Sequence, residues 1–426
     1  MSKVLSKIHS RILILSLTVL GAFLAAGCSA TLPPAYQLKA FTGDTPRGKI
    51  LAIATDGSRV VAASAKGLYQ KVGEGSWHII PVPGIRHLKA ISSLAVNGDE
   101  IFVGTKGEGL RILSGGTWEI KTSRYGGLPD DDVLSLAVAH GEEGLKGENI
   151  WVGTSSGLAL RRNGNWELYS PNDRWLGDLA GRKSNGDGDI YVASGFRLGL
   201  PGEDKKSFRP PITSISVGKD RVVLAGKQLR LAIISDGVVA TIALDADYIN
   251  RSNENVRIES LFVEPSVIWC GTSVGLLWGG LDGVAQGIPY PSWTGFVPSR
   301  STLFNSRDTR PFQYRWHRVG YNTAAVKGIT RDSDDGLWVA FSGVPPTIVS
   351  SLHLSGTTEA ETGTGSTTAI RRYVHIDEYI AGRRKPYYEV YGRNVGISDT
   401  PTALAFGEPD GGVWLGTTSG IFNLGK

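Results

Sequence analysis

The amino-acid sequence predicts an all-β fold built from repeated units, and three observations carry this prediction. Glycine provides 56 of the 426 residues, well above the usual level of about 7%, so tight turns must be frequent. One short apolar motif recurs eight times along the chain. Four of the seven spacings between copies are 40 to 49 residues, a period typical of a β-propeller in which each blade holds one copy.

The repeated motif consists of a β-branched or apolar residue, an aromatic residue or Val, another apolar residue, and then small residues. The eight copies are residues 60–64, 101–105, 150–154, 190–194, 222–226, 268–272, 337–341 and 413–417. The small residues at the end of each copy would allow neighbouring blades to approach closely near the propeller axis.

Companion segments at fixed distances complete a four-stranded unit around each copy. An alternating strand lies about ten residues upstream, as at residues 91–96 and 133–138, and a Gly-Leu or Gly-Ile pair follows five of the eight copies. Trp77, Trp118 and Trp166 then open a fourth strand. Because Gly, Asn and Asp between the strands suit tight hairpins, each unit is predicted to be one antiparallel blade.

The last copy lacks a fourth strand, since the sequence ends at Lys426 soon after its third strand. An unpaired strand edge promotes aggregation, and residues 36–41 alternate as a strand should. We therefore predict that this N-terminal strand closes a ring of eight four-stranded blades. Seven blades are the alternative, if residues 176–244 form one blade instead of two.

The N-terminus has the pattern of an export signal. Lys3, Lys7 and Arg11 precede the uncharged, mostly apolar run 12–26, which is shorter than the roughly 20 residues that span a bilayer. Residues 24–28, Leu-Ala-Ala-Gly-Cys, resemble a bacterial lipoprotein lipobox. The resemblance implies a signal peptide at 1–27 and a lipid on Cys28, with a plain cleaved signal as the alternative.

The predicted mature protein therefore has a lipidated linker at 28–35 and a single propeller domain at 36–426. Ser29 in place of Asp after the cysteine resembles the rule for retention at the outer membrane of a cell with two membranes. The expected location is the bacterial cell envelope, with attachment to the membrane through the N-terminal lipid.

Charge and cysteine content narrow the possible partners. Removal of residues 1–27 takes away three basic and no acidic side chains, leaving 42 basic against 40 acidic residues. A net charge of +2 gives no argument for nucleic acid as a partner. Cys28 and Cys270 are the only cysteines, so no disulfide is expected if Cys28 carries a lipid, and the sequence indicates no cofactor.

A resemblance to a known repeat family rests on the segment Gly-Leu-Pro-Asp-Asp-Asp-Val-Leu-Ser-Leu at 127–136, followed by the motif at 150–154. A degenerate copy at 394–399 leads to the motif at 413–417. Both resemble the two-component regulator propeller repeat. The resemblance implies a propeller outside the membrane that serves as sensory input to a histidine kinase. Because the sequence shows no second transmembrane helix and no kinase segment, we expect a stand-alone lipoprotein without signalling output of its own.

Metal binding and catalysis find little support in the sequence. The acidic runs 130–132, 185–189 and 332–335 could suggest calcium, but two of them fall at predicted hairpin turns and none has a complete calcium-loop pattern. We therefore expect these acidic residues to form turns, and no metal site is predicted. The mature histidines are residues 78, 87, 140, 317, 353 and 375. No two have the spacing of metal ligands, and no catalytic motif is present.

Two long insertions are rich in aromatic and basic residues, at about 284–325 and 356–393. Such side chains suit a protein surface or an acidic glycan, although residues 314–317 and 387–391 could simply form outer strands. We expect both insertions to lie between third and fourth strands and to form one joint surface. The predicted partner-binding residues are Trp293, Arg300, Arg307, Arg310, Trp316, Arg371, Arg372, Arg383, Arg384 and Tyr387.

The loops after the repeated motif would line the mouth of the propeller channel, where ligands commonly bind. The predicted channel-mouth residues are Thr105, Lys106, Thr154, Ser155, Thr272 and Thr417. The preferred function is thus a non-enzymatic binding or scaffold module for an envelope protein or glycan. A small-molecule or oligosaccharide binder at the channel mouth and a propeller lyase or hydrolase are the alternatives.

Overall fold

Seven antiparallel sheets of four strands make up the described part of the chain. The computed structural model describes residues 36–39, 43–139, 149–162, 164–169, 210–219, 221–226, 229–235, 238–243, 256–265, 267–273, 275–280, 317–318, 325–342, 368–374, 376–380, 387–391, 396–397, 399–407 and 412–425. The chain divides into two units, Met1–Ala35 and Tyr36–Lys426, and every described residue belongs to the second.

Each sheet is one blade, and in blades 1 to 6 the strands follow one another along the chain from the first strand to the fourth. Blade 1 contains β2 (Ile50–Thr55), β3 (Arg59–Ser64), β4 (Gly67–Val72) and β5 (His78–Ile80). Blade 2 contains β6 (Ile91–Asn97), β7 (Glu100–Thr105), β8 (Leu110–Ser114) and β9 (Thr117–Lys121). Blade 3 contains β10 (Val133–Ala139), β11 (Asn149–Thr154), β12 (Leu158–Arg162) and β13 (Asn165–Tyr169).

The remaining blades repeat this order. Blade 4 contains β14 (Ser214–Val217), β15 (Arg221–Ala225), β16 (Arg230–Ser235) and β17 (Val238–Ala243). Blade 5 contains β18 (Ile258–Val263), β19 (Val267–Thr272), β20 (Gly275–Gly280) and β21 (His317–Arg318). Blade 6 contains β22 (Ala325–Arg331), β23 (Leu337–Ser342), β24 (Thr368–Val374) and β25 (Tyr387–Tyr391). Blade 7 contains β26 (Pro401–Gly407), β27 (Gly412–Thr417), β28 (Ile421–Gly425) and β1 (Gln37–Leu38).

Helices are few among the described residues. They are α1 (Ile376–Ile380) and two short 3-10 helices, Leu88–Ala90 and Ser123–Tyr125. The repeated motif forms the second strand of every blade, and β11, β19 and β27 are buried along their whole length. Burial on both faces explains why these strands read as continuous apolar runs instead of alternating ones.

The blades are arranged as a closed ring. Each first strand lies against the first strands of both neighbouring blades, and the ring closes where β26 meets β2. Seven apolar clusters fill the seven junctions between consecutive blades of the described chain. Large rings such as Trp151, Trp269 and Trp338 are buried in these clusters, and the burial of such rings stabilises the fold.

The described residues form seven blades, so the preferred prediction of eight is wrong and the seven-bladed alternative is confirmed. Ile212, just before β14, donates its backbone N–H to Thr154 O at the end of β11 (3.0 Å), and its carbonyl accepts from the Ser135 hydroxyl of β10 (3.0 Å). Blade 4 therefore packs directly on blade 3, and no further blade fits between them. The copy at 190–194, which suggests an eighth blade, lies outside the described residues.

The N-terminal strand β1 is the fourth strand of blade 7. Gln37 pairs with Gly425 and Leu38 with Leu424 of β28, in antiparallel register. Tyr36, one residue earlier, donates its hydroxyl to Asp332 of blade 6 (3.0 Å) and packs edge-on against Trp338, with ring centroids 4.9 Å apart. The first described residues of the domain thus join blade 7 to blade 6.

The two insertions occupy different connections. Residues 281–316 join β20 to β21, a third strand to a fourth, as predicted. Residues 343–367 join β23 to β24, a second strand to a third, so the expectation that both insertions lie between third and fourth strands is wrong for 356–367. Because successive strands run in opposite directions, these two connections start at opposite ends of their blades. The expected outer strand 387–391 is β25.

Candidate functional site

Four of the six predicted channel-mouth residues are threonines at the end of a second strand. Thr105, Thr154, Thr272 and Thr417 are all fully buried. Each hydroxyl donates to a glycine carbonyl of the same turn, over 2.6 to 2.9 Å. The acceptors are Gly109, Gly157, Gly275 and Gly420. These hydroxyls are therefore occupied in holding the turn between the second and third strands.

The other two predicted channel-mouth residues, Lys106 and Ser155, follow the first two of these threonines. Lys106 donates its backbone N–H to Ala90 O (2.8 Å), and Ser155 donates to Asp132 O (3.1 Å). Ala90 and Asp132 immediately precede the first strands of blades 2 and 3. The turns therefore lie at the end of each blade where the first strand begins.

All seven first strands begin with the same four-residue frame. Its first residue is Ile, Val or Pro, its third is Ala, Ser or Gly, and its fourth is Ile or Leu. The second residue varies among Leu, Ser, Thr, Glu and Lys. The seven frames are residues 50–53, 91–94, 133–136, 212–215, 258–261, 326–329 and 401–404.

Packing between blades explains two of the three restricted positions, the first and the third. In blade 3 the first frame residue, Val133, lies against Gly104 of blade 2, where an added Cβ would be 2.6 Å from Val133 Cγ1. The third, Ser135, pairs with Gly153 of β11 and donates to Ile212 O of blade 4. Only small or β-branched side chains satisfy both contacts, so these positions cannot vary freely.

The variable second residue lies in a β-bulge. In six blades the pairing between the first and second strands skips this residue. In blade 4 the equivalent Thr213 donates its N–H to Ala225 O (3.0 Å), although Ala225 already pairs with Ser214. A bulge leaves the extra residue outside the ladder and changes the direction of its side chain, and bulges are frequent beside functional sites.

We name the seven variable residues the mouth ring. Its members are Leu51, Ser92, Leu134, Thr213, Glu259, Lys327 and Thr402, in blade order. Each is at least partly exposed, whereas the first frame residue is buried in most blades. Because the first strands surround the axis and the frames occupy their starting ends, the mouth ring borders one end of the central channel.

Blades 5 and 6 contribute the charged part of the mouth ring. Glu259 Oε2 accepts from Lys327 Nζ of the next blade at 3.0 Å, and Glu259 Oε1 accepts from Arg257 Nη2 at 3.3 Å. The exposed fractions are 19% for Glu259, 30% for Lys327 and 71% for Arg257. One carboxylate therefore holds two cations, which leaves this side of the mouth with a net positive charge.

The opposite side of the mouth ring is apolar or hydroxylic. In a ring of seven, the junction of blades 5 and 6 faces blade 2, whose ring residue is Ser92, flanked by Leu51 and Leu134. Ser92 donates its hydroxyl to Val133 O of blade 3, so this hydroxyl is already bonded. None of the mouth-ring residues was predicted from the sequence. Alignment of the seven frames is the signal that could have found them, since only their second position changes its chemistry from blade to blade.

The acidic runs that the structure describes form hydrogen bonds at turns. Asp130 accepts from the Ser156 hydroxyl (2.6 Å) and the Asp132 backbone N–H (2.8 Å). In blade 7, Asp399 accepts from the Ser419 hydroxyl in the same way. Burial alone would raise the pKa of Asp130, but these hydrogen bonds hold it below its usual value. The run 185–189 lies outside the described residues.

Asp332 is the most deeply buried carboxylate of the described chain, with no exposed side-chain surface. Burial raises its pKa, but hydrogen bonds from Arg372, Trp338 and the Gly336 backbone outweigh burial and hold the pKa below its usual value. Trp269 Nε1 likewise donates to Glu264 in blade 5 (2.6 Å). Among the described residues, no group of three or more His, Cys, Asp or Glu side chains could hold a metal ion.

Two predicted partner-binding residues lie on described strand β24. Arg372 donates to Asp332 (2.7 Å) and has 8% of its side chain exposed, while Arg371 lies over the Phe341 ring, 5.3 Å from its centroid. Tyr387 begins β25. The predicted partner-binding residues outside the described residues are Trp293, Arg300, Arg307, Arg310, Trp316, Arg383 and Arg384.

No cysteine or histidine is a member of the mouth ring. Cys28 lies outside the described residues, and Cys270 is fully buried in the core, where burial raises the pKa of its thiol well above the usual value. His78 lies on the outer strand β5, and His87 precedes the 3-10 helix Leu88–Ala90. His317 lies in β21, and the other three mature histidines lie outside the described residues.

Comparison with known proteins supports the fold. No family model and no curated protein matches the chain. The structure is similar to the extracellular domain of BT4673 from B. thetaiotaomicron, described as a hybrid two-component system, with 14% identity and a TM-score of 0.53. That alignment covers 92% of this chain and 40% of the extracellular-domain chain of BT4673, so this chain spans less than half of the domain it matches.

Two further solved structures align with this chain over almost their whole length. Virginiamycin B lyase from Staphylococcus aureus aligns with 12% identity and a TM-score of 0.51, over 92% of this chain and 99% of the lyase. YCF48 from Cyanidioschyzon merolae aligns with 13% identity and a TM-score of 0.51, over 91% and 98%. Identities this low establish the fold alone, and the fold is a seven-bladed β-propeller.

No helix in the described parts of the chain has the length and apolar character needed to cross a membrane. The described residues form one propeller with a ring of variable side chains at one channel mouth. On one side of the mouth, Lys327, Arg257 and Glu259 form ion pairs, and we call this side the charged arc. On the opposite side lie Leu51, Ser92 and Leu134, and we call this side the apolar arc.

Proposed function

We propose that the protein is an exported, lipid-anchored β-propeller that binds a ligand at the mouth ring without chemical turnover. The observation that carries this proposal is the contrast within the seven frames. The first and third positions are restricted by blade packing, the fourth is always Ile or Leu, and the second carries Leu, Ser, Thr, Glu or Lys on a bulge beside the channel. The side chain at the second position lies outside the strand pairing and is at least partly exposed, so it is available to a ligand.

Export and lipid attachment are proposed on the N-terminal sequence. The basic residues before the apolar run 12–26, and Cys28 after it, fit an export signal followed by a lipidated cysteine. The similarity to the extracellular domains of BT4673 and BT3049 of B. thetaiotaomicron agrees with a location outside the cytoplasm. The proposed location is the bacterial cell envelope, at the outer membrane where the cell has two.

Binding is favoured over catalysis by the composition of the mouth ring. Its seven residues include no His or Cys, and its one carboxylate, Glu259, is held between two cations. Both oxygens of this carboxylate already accept hydrogen bonds from the two cations. Since the similar structures include a lyase, turnover is the outcome that would reassign the site.

The proposed ligand is an envelope protein, a glycan, or a small molecule that enters the envelope. Trp293 and Arg310 of the first insertion are proposed as additional contacts to a protein or glycan, because planar rings and guanidinium groups suit such surfaces. Alanine substitution at both positions should weaken binding of any macromolecular partner. Unchanged affinity in both variants would remove the insertion from the proposal.

The experiment that tests the mouth ring compares two variants with the same chemical change. The ring variant carries Leu134→Arg and Thr402→Arg, which fill the mouth with two long cations. The control variant carries Ile79→Arg and Ile120→Arg, at outer-strand positions that are 55% and 48% exposed. Each lipidated protein is purified from its own envelope, and retained molecules are identified by mass spectrometry.

We expect the control to retain the same ligand as the unmodified protein, and the ring variant to lose it. Thermal unfolding of both variants should remain within a few degrees of the unmodified protein, since all four positions are at least partly exposed. Retention of the ligand by a folded ring variant would contradict the proposed site. Recovery of a chemically altered ligand from the unmodified protein would show catalysis instead.

A further inference from the structure

We infer that the mouth ring binds a small amphipathic organic anion, with the anionic group at blades 5 and 6 and the apolar body against blades 1 to 3. This inference rests on the proposed function and adds the chemical class of the ligand. It follows from the uneven distribution of charge and apolar surface around the ring, which would not arise from the packing of the blades.

The charged arc has unused capacity for an anion. Lys327 has three N–H donors and Arg257 has five, and each uses one on Glu259. Two cations share one anion, so a single negative charge from a ligand would balance the arc. Glu259 holds the two cations in place, and each of its two oxygens already accepts a hydrogen bond from one of them.

The apolar arc lies across the channel from these cations. Leu51 and Leu134 flank Ser92, whose hydroxyl is bonded to Val133 O. These side chains are only partly buried, so a ligand that covers them would remove apolar surface from water. A ligand therefore gains from one charged end and one apolar end, separated by the width of the mouth.

The ring is less suited to the other ligands that propellers could bind. No aromatic side chain is among the seven ring residues, so a sugar ring would find no planar surface for stacking at these positions. A cationic ligand would meet two cations and a carboxylate that is already paired. An anionic group combined with an apolar body is the class that satisfies both arcs.

The test uses 8-anilinonaphthalene-1-sulfonate, a fluorescent amphipathic anion, with the full-length protein. We expect saturable binding at one site, weakened by added salt because partly exposed charges are screened. Hexanoate and phenylacetate should displace the probe, whereas hexanol and acetate, which lack either the charge or the apolar body, should not. A hexapeptide ending in leucine, with a free or an amidated C-terminus, shows whether the carboxylate of a peptide is also accepted.

Two single substitutions should change the affinity in opposite directions. Lys327→Gln removes a donor to the anion and should raise the Kd of the probe about tenfold. Glu259→Gln removes the charge that balances Lys327 and Arg257, so it should lower the Kd. Lys219→Gln is the control, because Lys219 is an exposed lysine in the turn between β14 and β15, at the end of blade 4 opposite the mouth ring, and its Kd should stay unchanged.

Three results would overturn the ligand class. The first is that Lys327→Gln and Glu259→Gln weaken probe binding equally, and the second is that neither substitution changes the Kd. The third is that hexanol displaces the probe as strongly as hexanoate does. An error in the ligand class can be distinguished from an error in the proposed site. If the ring variant Leu134→Arg/Thr402→Arg loses its envelope ligand while the anion probes do not bind, only the ligand class is wrong. If the ring variant keeps its envelope ligand, the site itself is wrong.

Discussion

Asp332 joins three parts of the chain that are distant in sequence. Its carboxylate accepts from Tyr36, which is 296 residues earlier, from Arg372, which is 40 residues later, and from the Trp338 indole. Arg372 also lies over the Tyr36 ring, 5.3 Å from its centroid. A buried charge is tolerated only when it is paired and fully hydrogen-bonded, and here that requirement links the N-terminus to blade 6.

Asp332→Asn should destabilise the protein strongly, because it leaves the Arg372 guanidinium buried without a counter-charge. Loss of one partner of a buried ion pair costs about 3–5 kcal/mol. Tyr36→Phe is the milder comparison, since it removes one hydrogen bond worth about 1 kcal/mol. Urea unfolding followed by tryptophan fluorescence measures both. Equal, small losses in the two variants would show that the ion pair contributes little.

The same carboxylate should make stability depend on pH. The pKa of Asp332 is lower in the folded protein than its ordinary value, so the folded state binds its proton less readily than the unfolded state does. Its contribution is complete above the unfolded pKa of about 3.9 and is lost as the pH falls through the folded pKa. The free energy of unfolding should therefore decrease less steeply below pH 4 in Asp332→Asn than in the unmodified protein.

The sequence predicts part of this arrangement at the residue scale. The run 332–335 is interpreted as a hairpin turn, and Asp332 does accept from the Asp334 and Gly336 backbone N–H groups within that turn. Its contacts with Tyr36 and Arg372 could not be predicted, because they depend on which strand closes the ring and on the register between β23 and β24. The acidic run gives no sign that one carboxylate of the four-residue segment is buried.

At the scale of the strand, the pairing of small residues controls how closely blades approach. Ser135 pairs with Gly153 in blade 3, whereas blade 6 has the reverse order, Gly328 opposite Ala340. A Cβ added at Gly153 would lie 2.7 Å from Ile212 Cγ2 of the next blade, closer than packed carbon atoms normally come. The combined size of the pair is therefore limited at each junction.

Gly153→Ala should destabilise the protein by about 1–3 kcal/mol, the usual effect of overpacking a core. The double variant Ser135→Gly/Gly153→Ala reproduces the pair found in blade 6 and should recover part of the loss, since the contact with Ser135 disappears. Chemical unfolding of the two variants measures the difference. A double variant less stable than the single one would contradict the idea that the pair shares a fixed volume.

The second strands were predictable from the sequence, and the bulges were not. The repeated motif located all seven second strands, because burial on both faces requires the continuous apolar run seen in residues 150–154 and 268–272. A bulge needs only one extra residue in one strand, so it leaves no mark in composition or spacing. For that reason the mouth ring is not predicted from composition or spacing. The channel-mouth threonines are predicted as ligand contacts because of their hydroxyls, but these hydroxyls donate to carbonyls of their own turns.

At the scale of the molecule, closure of the ring depends on a short N-terminal segment. β1 contributes two residues to blade 7, and Lys39 N donates to Asn423 O just beyond it (3.0 Å). Tyr36 adds its contacts with blade 6. The prediction of eight blades is wrong because the copy at 190–194 suggests one more unit, and sequence spacing alone could not show that Ile212 packs directly on blade 3.

A variant that begins at residue 40 should lose stability and associate at high concentration. It lacks β1 and Tyr36, so the β28 edge and part of the blade 6 to blade 7 junction become exposed, and an open strand edge promotes association. A variant that begins at residue 28 is the control. Chemical unfolding and size-exclusion chromatography compare the two, and identical stability and elution would show that closure does not depend on this segment.

The measurement that tests the central claim most directly is photo-crosslinking in the intact, lipidated protein within its own envelope. A photoreactive amino acid replaces Leu134 in the mouth ring or, as a matched control, Ile79 on the outer strand of blade 1, which is 55% exposed. A ligand at the mouth ring predicts one saturable adduct from position 134 and none from position 79. An adduct from position 79 alone, or equal adducts from both, would contradict the assignment of the mouth ring as the binding site.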